Sequence, residues 1–308
     1  MKKSLYIFFL FSLSAFGAIS SLERGLLAAG EGNYRAAVHQ FSKEIKERPK
    51  NAQAYIARGD TYCKLENYKS AIADYTKAIE LSPKLGAKAY SSRSKAYVAL
   101  KEYTKAILDL NVAANLSPNA QIYYDRAEIY LTIGNHKAAI GDYSAGIALE
   151  RTPVKAYGER GNAYLGAKDY EKALNDFSRL ISLEPQNALA YNGRGAAYAG
   201  RGDYSRAISD YTIAIRYAPQ DASVYLNRAA AYEKMGEEKM MIADYSQAIS
   251  IDRNNPSTYI KRANAYIETG KDKEAKIDAQ RACELGDCAL LEKLKAGETQ
   301  KKKTFWFF

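Results

Sequence analysis

Apolar and small residues along this chain follow two nested periods. Over stretches of about a dozen residues they fall three and four positions apart, as on one face of a helix. The helical pattern breaks at Gly or Asn, resumes, ends near a proline, and begins again about 34 residues later. This spacing predicts repeats at residues 18–51, 52–85, 87–119, 120–153, 154–187, 188–221, 222–255 and 256–289, with Gly86 as an insertion and the third repeat one residue short. Each repeat reads as two amphipathic helices. The break between them is supplied by Gly134-Asn135, Gly202-Asp203, Gly236 and Gly270, and the closing proline by Pro49, Pro83, Pro118, Pro185 and Pro219. A hairpin of this size cannot bury its apolar face alone, so copies must stack on one another. Residues 290–297, with Leu290, Leu291 and Leu294, read as a short helix capping the stack.

Counting slots one to 34 within each repeat separates framework from surface. Slot four is Tyr55, Tyr90, Tyr123, Tyr157, Tyr191, Tyr225 and Tyr259, and slot eleven is Tyr62, Tyr97, Tyr130, Tyr164, Tyr198, Tyr232 and Tyr266. Slot eight is always small (Gly25, Gly59, Ser94, Ala127, Gly161, Gly195, Ala229, Ala263), and slot 24 is usually aromatic (Phe41, Tyr75, Tyr143, Phe177, Tyr211, Tyr245). Small slots let two helices approach, and aromatic slots fill the space beside them. The tyrosine excess is therefore expected to build core rather than a ligand cage. Slot seven is arginine in all eight repeats (Arg24, Arg58, Arg93, Arg126, Arg160, Arg194, Arg228, Arg262), and slot 23 is aspartate in seven (Asp74, Asp109, Asp142, Asp176, Asp210, Asp244, Asp278). One lies on the first helix and the other on the second. They are expected to pair, guanidinium forking onto carboxylate, within a repeat or between neighbours. A ladder gripping a polyanion would instead need one sign of charge.

This pattern resembles the tetratricopeptide repeat over residues 18–289. Period, small slots, aromatic slots and proline agree in one repeat after another. The end repeats depart from it: Ser21 and Ala28 replace both first-helix tyrosines, and Ala279 occupies slot 24 of the last repeat. The resemblance implies an all-α, right-handed superhelical solenoid of eight helix-turn-helix repeats. It also implies a concave groove lined by the first helices, with slots two, five, nine, twelve and thirteen facing in. Those slots vary here where the framework does not. The candidate groove residues are Gln53, Ile56, Asp60, Lys88, Ser91, Lys95, Gln121, Tyr124, Glu128, Lys155, Asn162, Asn192, Leu226 and Asn264. An extended peptide or partner protein is the expected ligand. Some family members clamp the C-terminal carboxylate of a chaperone. Asn227 fits one position of that clamp, but Asn192, Ala196, Ser257 and Lys261 do not complete it.

The chain ends add a location and a rival reading. Lys2 and Lys3 precede an apolar run, Leu5 to Leu13, that is too short for a bilayer span of about 20 residues and suits a secretory signal. Residues 1–17 are expected to be that signal, cut after Gly17 or after Ser20, with an uncleaved anchor as the alternative. Its bacterial character places the mature chain in the periplasm or outside. The formal charge of +10 gathers toward the two ends. Residues 298–308 form a basic-aromatic tail holding the single tryptophan, Trp306. Lysines beside aromatics suit a membrane interface, an aromatic pocket on a partner, or a tail folded back onto the groove. The rival to a protein-binding scaffold is thus an envelope organiser touching membrane or wall polymer through its basic first repeats and tail. No nucleic-acid module is visible.

Candidate chemistry is sparse. Cys283 and Cys288, five residues apart, are either a disulfide, which an exported protein permits, or two packed thiols. Two sulfurs with no nearby histidine do not complete a metal shell. His39 and His136 are far apart in sequence, and no phosphate loop or nucleophile elbow is present. The expected protein is non-catalytic and needs no cofactor or metal.

Overall fold

The computed structural model describes residues 19–296. The expected export signal and the basic-aromatic tail lie outside the described residues. Within that range the chain is helix, turn and connection, with no strand. The described residues divide into two compact units, on either side of the boundary between Asn135 and His136. The first contains α1 (Ser21–Gly30), α2 (Tyr34–Glu47), α3 (Ala52–Lys64), α4 (Tyr68–Leu81), α5 (Gly86–Ala99), α6 (Tyr103–Leu116) and α7 (Ala120–Thr132). The second contains α8 (His136–Leu149), α9 (Val154–Gly166), α10 (Tyr170–Leu183), α11 (Ala188–Gly200), α12 (Tyr204–Tyr217), α13 (Ala222–Met235), α14 (Glu238–Ile251), α15 (Pro256–Glu268) and α16 (Asp272–Glu284). A further helix, α17, begins at residue 289, one position before the start the sequence pattern suggested, and runs through 296, the last described residue.

Local chemistry sets both ends of each helix. At the start of second helices, Asn33, Asn67, Asp169 and Asp203 accept the amide of the residue three positions on, satisfying an orphan donor. Just before each of these caps, slot fifteen adopts the left-handed conformation in all eight repeats. Glycine takes it at Gly32, Gly134, Gly202, Gly236 and Gly270, but Glu66, Lys101 and Lys168 take it as well, at φ 58–60°. Second helices end where slot 31 turns extended. Arg48, Ser82, Ser117, Glu184 and Ala218 each precede a proline, which excludes the helical region for the residue before it. The insertion at Gly86 is absorbed by a short 3₁₀ turn, Pro83–Leu85, and by starting α5 at Gly86 itself.

Packing within each hairpin turns on slots eight and 24. A Cβ on Gly59 would lie 2.8 Å from the Tyr75 ring, on Gly161 2.8 Å from Phe177, and on Gly195 2.7 Å from Tyr211. The second-helix stripe of slots 20, 24 and 27 is buried, for example Ala71, Tyr75 and Ala78 in the first compact unit and Ala207, Tyr211 and Ala214 in the second. At Gly59, Gly161 and Gly195 it is this ring contact, not backbone conformation, that favours glycine.

Candidate functional site

The first helix of each repeat presents two faces, and one is committed to structure. In six repeats the slot-seven arginine donates through Nε and Nη2 to both oxygens of the slot-23 aspartate. The pairs are Arg58–Asp74, Arg93–Asp109, Arg160–Asp176, Arg194–Asp210, Arg228–Asp244 and Arg262–Asp278, all at 2.7–2.9 Å. The sequence left open whether pairing ran within or between repeats, and it runs within. The third nitrogen, Nη1, reaches back to slot 25 of the preceding repeat: Ser42, Thr76, Ser144, Ser178, Thr212 or Ser246. Arg126 makes the corresponding bond to Asn111 Oδ1 at 2.6 Å. Thr76, Ser144, Thr212 and Ser246 also donate to a carbonyl of their own helix, so each hydroxyl is used as donor and acceptor.

Tyrosines close the arrangement. The guanidinium carbon of Arg58 lies 5.8 Å from the Tyr55 ring and 5.9 Å from Tyr62, and Arg93, Arg160 and Arg228 are held between their slot-four and slot-eleven rings in the same way. Hydrogen bonding to aspartate raises the pKa of these guanidinium groups above the ordinary arginine value, against a smaller opposing effect of burial. Paired, stacked and largely covered, these arginines are not a track for an anionic ligand.

The opposite, groove-facing side is less regular. In the first compact unit a cleft of about 460 Å³ has an apolar lining that includes Leu22, Leu26 and Leu85, with Gln53, Asp60, Lys64 and Lys88 around it. Ile56 lines it too, from a buried position (4% exposed) in the core beside Tyr75. Asp60 accepts a 2.7 Å bond from the Tyr75 hydroxyl. Burial, then that carboxylate, pushes the Tyr75 phenol pKa far up. A second cleft, about 330 Å³, gathers Lys95, Asp125 and Glu128. There Lys95 Nζ lies 3.3 Å from Asp125, which also accepts from Gln121 at 2.6 Å.

In the second compact unit a cleft of about 570 Å³ between α9 and α11 brings together Lys155, Asn162 and Asn192, backed by Phe177 and Leu180 of α10. Asn192 Oδ1 accepts from Asn227 at 2.9 Å. A smaller cleft of about 260 Å³ holds Asn264 with Tyr245, Glu233 and Glu268. Burial raises the Tyr245 phenol pKa to about 12, and the two glutamates add to the shift. Ser91, Gln121, Tyr124 and Leu226 do not line these four clefts. Leu226 packs toward Met241 and Tyr245 instead. The sequence reading passed over Leu22, Leu26, Lys64, Asp125 and Glu159. Slot six was the overlooked signal for the last two, since it varies from repeat to repeat as slots two, five and nine do.

A disulfide joins Cys283, in the last turn of α16, to Cys288 just before α17. Cys63 is a half-buried free thiol whose pKa burial raises. No group of His, Cys, Asp and Glu among the described residues is arranged to hold a metal ion.

Models of the tetratricopeptide repeat match residues 52–85, 120–153, 161–231, 222–255 and 256–285. The chain belongs to the tetratricopeptide repeat family. Among solved structures, a tetratricopeptide repeat protein from Parabacteroides merdae superposes with a TM-score of 0.64 at 19% identity, over 79% of this chain and 98% of that one. YrrB, described as a repeat protein of this class with an unusual peptide-binding site, gives 0.54 at 23% identity, over 60% of this chain and 94% of its own. PilW, a type IV pilus biogenesis factor, gives 0.54 at 17% identity, over 65% and 92%. At these identities the likeness is one of fold. A curated relative, a protein SGT1 homolog of Oryza sativa subsp. japonica, is 37% identical over 72 residues, which is 23% of this chain and 20% of that protein. The match therefore spans about a fifth of that relative's length.

Proposed function

We propose that this tetratricopeptide repeat protein is a non-catalytic scaffold that holds an extended segment of a partner protein against the groove-facing side of its first helices. One observation carries the reading. Six repeats commit arginine, aspartate and tyrosine to an internal clamp, while slots two, five, six and nine differ from repeat to repeat and line clefts of a few hundred Å³. Clefts with apolar linings and isolated polar groups suit alternate side chains of an extended peptide. The peptide-binding site in the printed description of YrrB supports the same use of the fold. The amino-terminal Met-Lys-Lys and apolar run support export, and we place the working protein in the bacterial cell envelope.

Capture with crosslinking from an envelope fraction tests the scaffold. The bait is the chain, compared with a variant carrying Gln53→Ala, Lys88→Ala, Lys155→Ala and Asn162→Ala, all at exposed positions. A protein retained by the first and lost by the second, at equal thermal stability, is the expected result. Identical capture profiles would overturn the groove assignment. Fusing residues 1–20 to a reporter enzyme active only after export tests the location, and an inactive fusion would refute it.

A further inference from the structure

The cleft of the first compact unit carries a charge pattern that the framework does not call for. Leu22 and Leu26 of α1, at slots five and nine of the first repeat, form its wall with Leu85, and the buried Phe41 and Ile56 lie beneath. Leu26 is 53% exposed, so apolar surface is open at the mouth. The charged lining residues are Asp60, Lys64 and Lys88. Asp60 is engaged, since it accepts the Tyr75 hydroxyl at 2.7 Å. Elsewhere in this compact unit Lys43, Lys77, Lys95 and Lys105 each have a carboxylate partner. Lys64 and Lys88 are exposed and form no ion pair among the described residues.

The helices set these two cations apart. α3, α4 and α5 pack side by side through short connections, so α3 and α5 run in the same direction. Lys64 ends α3, whereas Lys88 is in the first turn of α5. The lining from α3 runs from Gln53 to Lys64, roughly 16 Å at the helical rise per residue. An extended chain covers that length in about five residues. We propose that this cleft takes an internal segment of a partner protein in which one apolar side chain is bracketed by two acidic ones, about five residues apart. The inference rests on the groove reading above and names the chemistry of the partner. The apolar side chain lies against Leu22, Leu26 and Leu85, and each carboxylate meets one lysine. A basic segment would meet like charge at both ends. A chain terminus supplies one carboxylate, and two separated lysines call for two.

The test titrates the full chain into dye-labelled synthetic peptides and reads fluorescence anisotropy. The first peptide, blocked at both ends, has a leucine bracketed by two glutamates at that spacing. The second has lysine for glutamate, and the third serine for leucine. The fourth lacks glutamate and carries a free C-terminal carboxylate. The glutamate peptide should bind about tenfold or more tightly than the others. Added salt should weaken it, because both lysines are exposed. Lys64→Glu with Lys88→Glu should reverse the preference and make the lysine peptide the tighter ligand, which a folding defect cannot do. Leu26→Ser should weaken the glutamate peptide, and Lys155→Glu, in a cleft of the second compact unit, should leave it unchanged. Equal binding of the glutamate and lysine peptides, or a preference that survives the double lysine change, overturns the proposal. Tighter binding of the free-carboxylate peptide also overturns it and assigns the cleft to a chain terminus. If partner capture is still lost in the groove variant described above, the scaffold reading then stands while the acidic partner falls. Capture indifferent to that variant would sink both.

Discussion

Arg160→Ala is the sharpest test of the clamp that joins one repeat to the next. The Arg160 side chain is 18% exposed and its partner Asp176 7%. Arg160 donates two bonds of 2.7–2.8 Å to Asp176 and one of 3.0 Å to Ser144, and lies 5.8 Å from both Tyr157 and Tyr164. Truncation leaves a buried carboxylate with no counter-charge, a loss of about 3–5 kcal/mol in comparable cases. Asp176→Ala should be milder, because the remaining guanidinium keeps Ser144, both rings and partial contact with water. The double variant should lose less than the sum of the singles, since it leaves no orphaned charge. Lys155→Ala, on an exposed side chain one turn earlier, should fall within about 0.5 kcal/mol of the parent. Urea unfolding followed by circular dichroism measures the energies. Hydrogen exchange then shows whether the loss opens the junction of α8 and α9 locally, as expected for a stack of nearest-neighbour interactions. Equal effects of Arg160→Ala and Lys155→Ala, or strict additivity of the two clamp variants, would refute the reasoning.

Further predictions follow from the same geometry. Lys168→Gly should stabilise by about 0.5–1 kcal/mol by relieving a left-handed lysine, and Gly202→Ala at the equivalent turn should destabilise by about 1 kcal/mol; chemical denaturation reads both. Gly195→Leu should lose about 1–3 kcal/mol through overpacking against Tyr211 and the Ala207 carbonyl, and an unchanged melting curve would contradict the close approach of α11 and α12. Burial raises the Tyr211 and Tyr245 phenol pKa values to about 12, above the ordinary value of about 10. The folded state then holds those protons more tightly than the unfolded one. Their contribution is fully present below pH ~10 and is lost as pH rises toward 12. Tyrosinate absorbance should therefore develop in two phases, the later one coinciding with unfolding.

Much of the framework was legible from spacing alone, because each framework slot solves the same packing problem in every repeat. Tyr-x-x-Arg-Gly places a ring, a cation and a gap on successive faces of one turn, and an aspartate sixteen residues after the arginine can only be on the facing helix. Helix ends were legible for the same reason, since asparagine, glycine and proline act through their own backbone neighbours. Slot fifteen shows the limit. Glu66, Lys101 and Lys168 carry no local sign of a left-handed turn, and the hairpin imposes it on them. The hydroxyls at slot 25 escaped notice too, because a serine or threonine in a helix gives no hint that an arginine of the next repeat will reach it.

For the candidate site the balance reverses. The sequence could nominate groove-facing slots, but it could not tell Ile56, drawn into the core by Tyr75, from Leu26, left at the mouth of a cleft. Nor could it show that Asp60 is held by the Tyr75 hydroxyl, or that Leu180 and Phe177 fill the space beside Gly158 and Gly193. Those outcomes depend on how far each side chain reaches across a helix crossing. Periodicity determines which face a residue occupies, and only the packed neighbours decide whether that face is filled, bridged or left open.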